Sequence, residues 1–196
     1  MRTPRPVFDA NPSSGGLGDL PEWNLSDLYA APDAPELARD MGWLDKACAD
    51  FTRAYEGKLA ALDAPGMLEC VHRYEAIERT AGRIMSYAGL RYYQNTVDAV
   101  RAKFMSDCQD KVTEFTTPLV FFSLEFNRID DATYDRVFTA GTALDRYKPV
   151  FDRMRAMKPH QLSDELEKFL HDQSTVGASA WNKLFDETMA ALTFAV

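Results

Sequence analysis

From Asp33 to Leu62, apolar residues recur at Leu37, Met41, Leu44, Cys48, Phe51, Tyr55, Leu59 and Leu62, each three or four positions after the last. Side chains at those intervals share one face of a 3.6-residue helix, so the pattern predicts a single long amphipathic helix. Asp63-Ala64-Pro65-Gly66 breaks the stripe and offers a new start, with a capping carboxylate followed by proline in the first turn. A second helix is expected from about Pro65 to Tyr93, folding back on the first as an antiparallel hairpin. On its wet face Glu69 with Arg73 and Glu75 with Arg79 make i,i+4 pairs, worth about 0.2–0.5 kcal/mol each.

Asn95-Thr96 is expected to cap a third long helix, whose stripe reads Val97, Val100, Phe104, Cys108, Val112, Phe115, Leu119, Phe122 and Phe126. Pro118 lies inside it. Its ring clashes with the carbonyl of Glu114, which predicts a break between Glu114 and Pro118. Shorter helices follow at 131–140, 144–157, 163–173 and 179–191, separated by Gly141, Pro159-His160 and Gly177, with Ser163 as an N-cap before Asp164 and Glu165. Residues 192–196, Leu-Thr-Phe-Ala-Val, alternate as a terminal strand would, and no partner strand is legible elsewhere. At the other end, residues 1–21 hold four prolines and three glycines with little apolar periodicity and are read as a flexible leader. Asn24 or Ser26 then caps a short turn carrying Leu25, Leu28 and Tyr29, with Trp23 as its expected anchor. The expected organisation is a leader at 1–21, an all-α domain at 22–191 built of long antiparallel hairpins and then shorter helices, and a strand beginning at 192–196.

Composition narrows the class of function. At 196 residues and 46% hydrophobic, the chain can bury a core without disulfides or metal. Its 22 basic residues against 30 acidic ones give a net charge of −8, a field that repels nucleic acid. Cys48, Cys70 and Cys108 show no paired metal-site spacing and read as reduced core thiols. No signal peptide fits the start, and the longest wholly apolar run, 118–122, is too short to span a bilayer, so no membrane partner is expected and a cytoplasmic location is.

Chemistry-bearing patterns are sparse. None of the histidines, His72, His160 and His171, begins an H-E-x-x-H zinc motif. Glu69-x-x-His72 has the spacing used in di-iron bundles, yet no second such pair accompanies it. Glu167 and His171 are four apart on one helix, where a solvated contact is the ordinary outcome. There is no G-x-S-x-G nucleophile elbow and no phosphate-binding loop, and Gly15-Gly16-Leu17-Gly18 sits in the leader. Tyr87, Tyr92 and Tyr93 beside Arg91 read as core residues with tips reaching water. Trp181, Leu184 and Phe185, at i, i+3 and i+4, read as core. No catalytic, cofactor-binding or metal-ligating residue is assigned.

Two stretches stand apart, Leu20-Pro21-Glu22-Trp23-Asn24-Leu25-Ser26-Asp27-Leu28-Tyr29 and Lys158-Pro159-His160-Gln161-Leu162-Ser163 with Glu167, Ser174, Gly177, Ala180-Trp181 and Leu184-Phe185-Asp186-Glu187. Both resemble the oligoendopeptidase F group of thimet-type zinc metallopeptidases. Tyr87 to Thr96 resembles the family's Tyr-rich helix end, with Asn95-Thr96 where relatives carry Asp-Thr. The resemblance implies the helical N-terminal part of a longer, two-lobed, all-helical enzyme whose zinc site lies downstream of this sequence. It implies hydrolysis of short peptides in a closed cleft, with zinc polarising the carbonyl and activating water and a glutamate as general base. Zinc would belong to the full-length protein and not to this chain. The present segment would supply wall and lid, inert by itself, with short peptides and the missing C-terminal catalytic domain as its partners. The competing expectation is a stand-alone helical domain that binds a protein or peptide without hydrolysing it.

Overall fold

The structure, a computed structural model, describes residues 24–139 and 141–193. The leader expected over 1–21 and the Trp23 anchor lie outside the described residues. Asn24 is the residue that caps the first turn: its side-chain oxygen accepts from the Ser26 amide at 3.0 Å. Tyr29 closes that turn in the core, and its hydroxyl donates to Asp40 at 2.8 Å.

Helix α1 runs Pro35–Tyr55 and buries Leu37, Leu44, Cys48, Phe51 and Tyr55. It does not continue to Leu62. Gly57 takes a left-handed backbone (φ 76°), and Leu59–Ala61 form a separate 3-10 turn. That conformation suits glycine, and the freed carbonyls of Arg53 and Ala54 accept from the Lys58 ammonium at 3.0 Å each. Leu59 is buried all the same, so the spacing read the buried face correctly and the continuity wrongly.

Helix α2, Ala64–Gln94, begins as expected, with the Asp63 carboxylate accepting from the Gly66 amide at 2.8 Å. Contacts with α1 run in opposite order along the two helices. Phe51, late in α1, meets Tyr74, early in α2, whereas Asp40 reaches forward to Arg83 at 3.2 Å. Glu69 pairs with Arg73 at 2.7 Å on the surface. Glu75 instead accepts from the Tyr147 hydroxyl at 2.9 Å, so it fastens a later segment where a solvated pair with Arg79 was expected.

Helix α3, Ala99–Thr116, is capped by Asp98, whose carboxylate accepts from the amides of Val100 and Arg101. The expected cap at Asn95-Thr96 is three residues too early, because Asn95 closes α2. Val97 and Val100 consequently fall outside the buried stripe, 57% and 79% exposed. The break at Pro118 is present: Thr117–Leu119 is a 3-10 turn, and α4 resumes at Val120–Arg128. The Thr116 and Thr117 hydroxyls donate at 2.8 Å to the carbonyls of Val112 and Thr113, four residues back.

Helices α5 (Asp131–Val137), α6 (Lys148–Ala156), α7 (Asp164–Asp172) and α8 (Ala178–Ala191) complete the fold, and every regular element among the described residues is helical. The expected 144–157 helix opens with a 3-10 turn at Asp145–Tyr147. Aromatic rings join α4 to its neighbours. Phe122 stacks on Tyr74 with centroids 4.3 Å apart, and Phe126 packs on Phe151 at 4.3 Å and edge-on to Tyr134 and Phe138. One core cluster runs from Tyr29 to Phe151, and past Phe151 no described residue is buried. Leu192 has an extended backbone, and the rest of the expected strand, residues 194–196, lies outside the described residues.

Candidate functional site

A cleft of about 660 Å³ is walled by α2, α3, the Pro118 turn, α4 and α7. Glycine and alanine at Gly82 and Ala81 keep the α2 wall low, while Met85, Val112, Leu119, Val120 and Leu170 make it apolar. Polar groups come from four helices: Tyr74 and Glu78 from α2, Thr116 from α3, Ser123 from α4, and Glu167 and His171 from α7. Helix α7 stands here because its start is anchored twice. Ser163 caps it by accepting from the Leu166 amide, and Arg128 pairs with Asp164.

Glu167 and His171 both line the cleft but do not bond one another. Glu167 accepts from the Leu162 amide at 2.9 Å, before the helix begins. His171 Nε2 lies 3.2 Å from Thr116 Oγ1. With the threonine proton given to the Val112 carbonyl at 2.8 Å, Oγ1 can accept from the ring in the tautomer that carries its proton on Nε2. Burial first, and then the charge and hydrogen bond of Glu78, hold the Tyr74 phenol well above the usual tyrosine range. The sequence placed Glu167 and His171 on one helix face but as a solvated contact with each other, where each instead meets another partner. Glu78, Tyr74 and Thr116 were not legible there, since only tertiary packing brings their helices to α7.

The other sequence candidates do not assemble. Glu69 and His72 are both exposed; Glu69 is held by Arg73, and the His72 ring lies 6.2 Å from that of Tyr147. Tyr87 and Tyr92 are core residues and Tyr93 is exposed, but the Tyr87 and Tyr92 hydroxyls are buried with no hydrogen-bond partner among the described residues and do not reach water as expected. The three thiols are free and buried, and burial pushes Cys48 and Cys70 up to about 12 and Cys108 up to about 11. Among the described residues no three His, Cys, Asp or Glu side chains gather as a metal site would require, so the residues present do not fit a zinc ion. No described helix is long and apolar enough to cross a membrane.

Trp181, Leu184 and Phe185 depart furthest from expectation. They are 71%, 53% and 64% exposed, where their spacing read as core. The spacing is right for one face, but nothing described covers that face. Leu166, Phe169 and Leu170 on α7, Val176 between the helices, and Met189 on α8 are also exposed. Helix α8 is tethered by polar contacts, with the Lys183 ammonium donating to Ser106 Oγ at 2.7 Å.

The same segment carries the match to known proteins: residues 125–194 match the sequence family described as Oligopeptidase F. The chain is similar to the N-terminal region of oligopeptidase F. A relative, Group B oligopeptidase PepB of Streptococcus agalactiae serotype III (strain NEM316), is 23% identical over 160 residues. That alignment takes in 81% of this chain and 26% of PepB, so the chain spans about a quarter of the relative's length. No solved structure matches. The oligopeptidase F match begins late in α4 and takes in α5 to α8, the whole exposed apolar face included.

Proposed function

We propose that this chain is the N-terminal helical part of a zinc-dependent oligopeptidase, a wall of the chamber that admits short peptides, with the catalytic centre in sequence beyond it. The observation that carries this reading is the apolar face of α7 and α8. Large apolar side chains left exposed on both helices favour a covering surface, and they fall within the segment that matches oligopeptidase F. The occupant is the remainder of the enzyme, since a relative of this type is about four times as long as the region aligned. Residues 22–191 form the wall, and 192–196 lead toward the catalytic domain. Zinc and the groups that activate water belong to that domain, peptide hydrolysis is the activity of the whole, and its place is the cytoplasm.

The test compares residues 1–196 with the same chain extended through its downstream coding sequence. The extended protein is expected to cleave a quenched-fluorescent oligopeptide, to lose activity to a chelator and to regain it with zinc, while residues 1–196 leave the peptide intact. Chelator-sensitive cleavage by residues 1–196 alone would overturn the proposal. So would a stop codon directly after Val196, which would leave a stand-alone binding domain.

A further inference from the structure

The cleft between α2 and α7 has a composition of its own. Its formally charged lining groups are the carboxylates of Glu78 and Glu167, and no lysine or arginine stands among them. Glu78, exposed, belongs to α2 and Glu167, half-buried, to α7, so the two carboxylates come from different walls of the cleft. One Glu167 oxygen accepts from the Leu162 amide, and the other has no hydrogen-bond donor among the described residues. The same lining carries Met85, Val112, Leu119, Val120 and Leu170, and a Cβ added at Gly82 would stand in open space. The volume, about 660 Å³, is within the range of small-molecule sites and far beyond the roughly 30 Å³ of one water.

We propose that this cleft binds a small organic cation, a primary ammonium carried on an apolar body. The ammonium has three donors for the free carboxylate oxygens and the Ser123 hydroxyl, and the body covers Met85, Val112 and Leu170. An anion is disfavoured by both carboxylates, and a bare metal ion would leave the apolar wall wet. The ammonium could be that of a free amine or that of the first residue of a peptide. The inference uses only residues of this chain and stands whether or not a catalytic domain follows.

Calorimetric titration of the 196-residue protein with 4-phenylbutylamine, 4-phenylbutyrate and phenylalanyl-glycyl-glycine amide tests it. The two amines are expected to bind saturably and one to one, and the butyrate not to bind. The tighter of the two amines tells a free amine from a peptide N-terminus. Glu78→Gln should weaken amine binding about tenfold, as expected for one lost charge-assisted contact. Gly82→Leu should abolish binding by filling the space above α2, with the thermal midpoint of each variant showing that it is folded. Perturbation of the His171 ring resonances by the amine locates the ligand in the cleft. Equal binding of the butyrate, absence of saturation by either amine, or unchanged affinity in a folded Gly82→Leu protein would each overturn the proposal.

Discussion

Phe126 is fully buried, with the rings of Phe122, Tyr134, Phe138 and Phe151 around it. Its replacement by alanine would leave a void that the four surrounding aromatic side chains, one of them on α4 itself, cannot close together, at a cost of about 3–5 kcal/mol. Urea unfolding of Phe126→Ala is expected to show that loss as a lower midpoint. The cysteines lead to a second expectation. Buried thiols held near 11 to 12 carry almost no thiolate at pH 8, so a thiol reagent should titrate none of Cys48, Cys70 and Cys108 in the native protein and all three in guanidinium. The acid limb of stability is a residue-scale property too. Asp130 is held below the usual carboxylate range by Thr133, Asp152 by Tyr134 and Lys148, and Asp164 by Arg128. Each folded value lies under the unfolded one, so the stabilisation is complete above about pH 4 and is lost as pH falls through the folded values. The thermal midpoint should therefore be flat from pH 5 to 7 with respect to these groups and fall below pH 4, less steeply in Asp152→Asn. That Cys48 and Cys108 are core residues was legible from their place in the apolar stripes. The partnerless hydroxyls of Tyr87 and Tyr92 were not, because whether a buried hydroxyl finds an acceptor depends on the helix opposite.

At the scale of elements, the two glycines Gly57 and Gly82 are expected to respond with opposite signs. Gly57 holds a positive φ at the end of α1 and donates its amide to Glu125 at 2.6 Å, so Gly57→Ala should destabilise by about 1 kcal/mol. Gly82 is mid-helix in α2 with open space where a Cβ would go, and Gly82→Ala should stabilise by up to about 1 kcal/mol. Thermal melts of the two variants side by side would show midpoints moving apart. Helix starts with an isolated capping residue, Asp63 and Ser163, were readable to within a residue. Between Asn95 and Asp98 two capping residues lie three apart, and the chain uses the first to end α2 and the second to begin α3. The α1 stripe was misread as continuous because a 3-10 turn beyond Gly57 can return Leu59 to the same core.

For the molecule as a whole, the decisive feature is the uncovered face of α7 and α8. Residues 1–196 are expected to bind a hydrophobic dye strongly and to self-associate in light scattering. Trp181→Glu with Phe185→Glu should suppress both with little change in thermal midpoint, since these side chains are 71% and 64% exposed. A clean monomer with little dye binding would count against a covering partner. The sequence by itself determined the all-helical class, the α2 cap at Asp63, the break at Pro118 and which side of each early helix is apolar. Those are consequences of local backbone preference and periodicity, which act within a few residues. Tertiary structure alone decided that Glu78, Thr116 and His171 share a cleft, and that an apolar stripe on α3 is core while one of the same spacing on α8 faces water. A stripe records only that a face favours burial; whether it is buried depends on what another part of the chain, or another surface, brings against it.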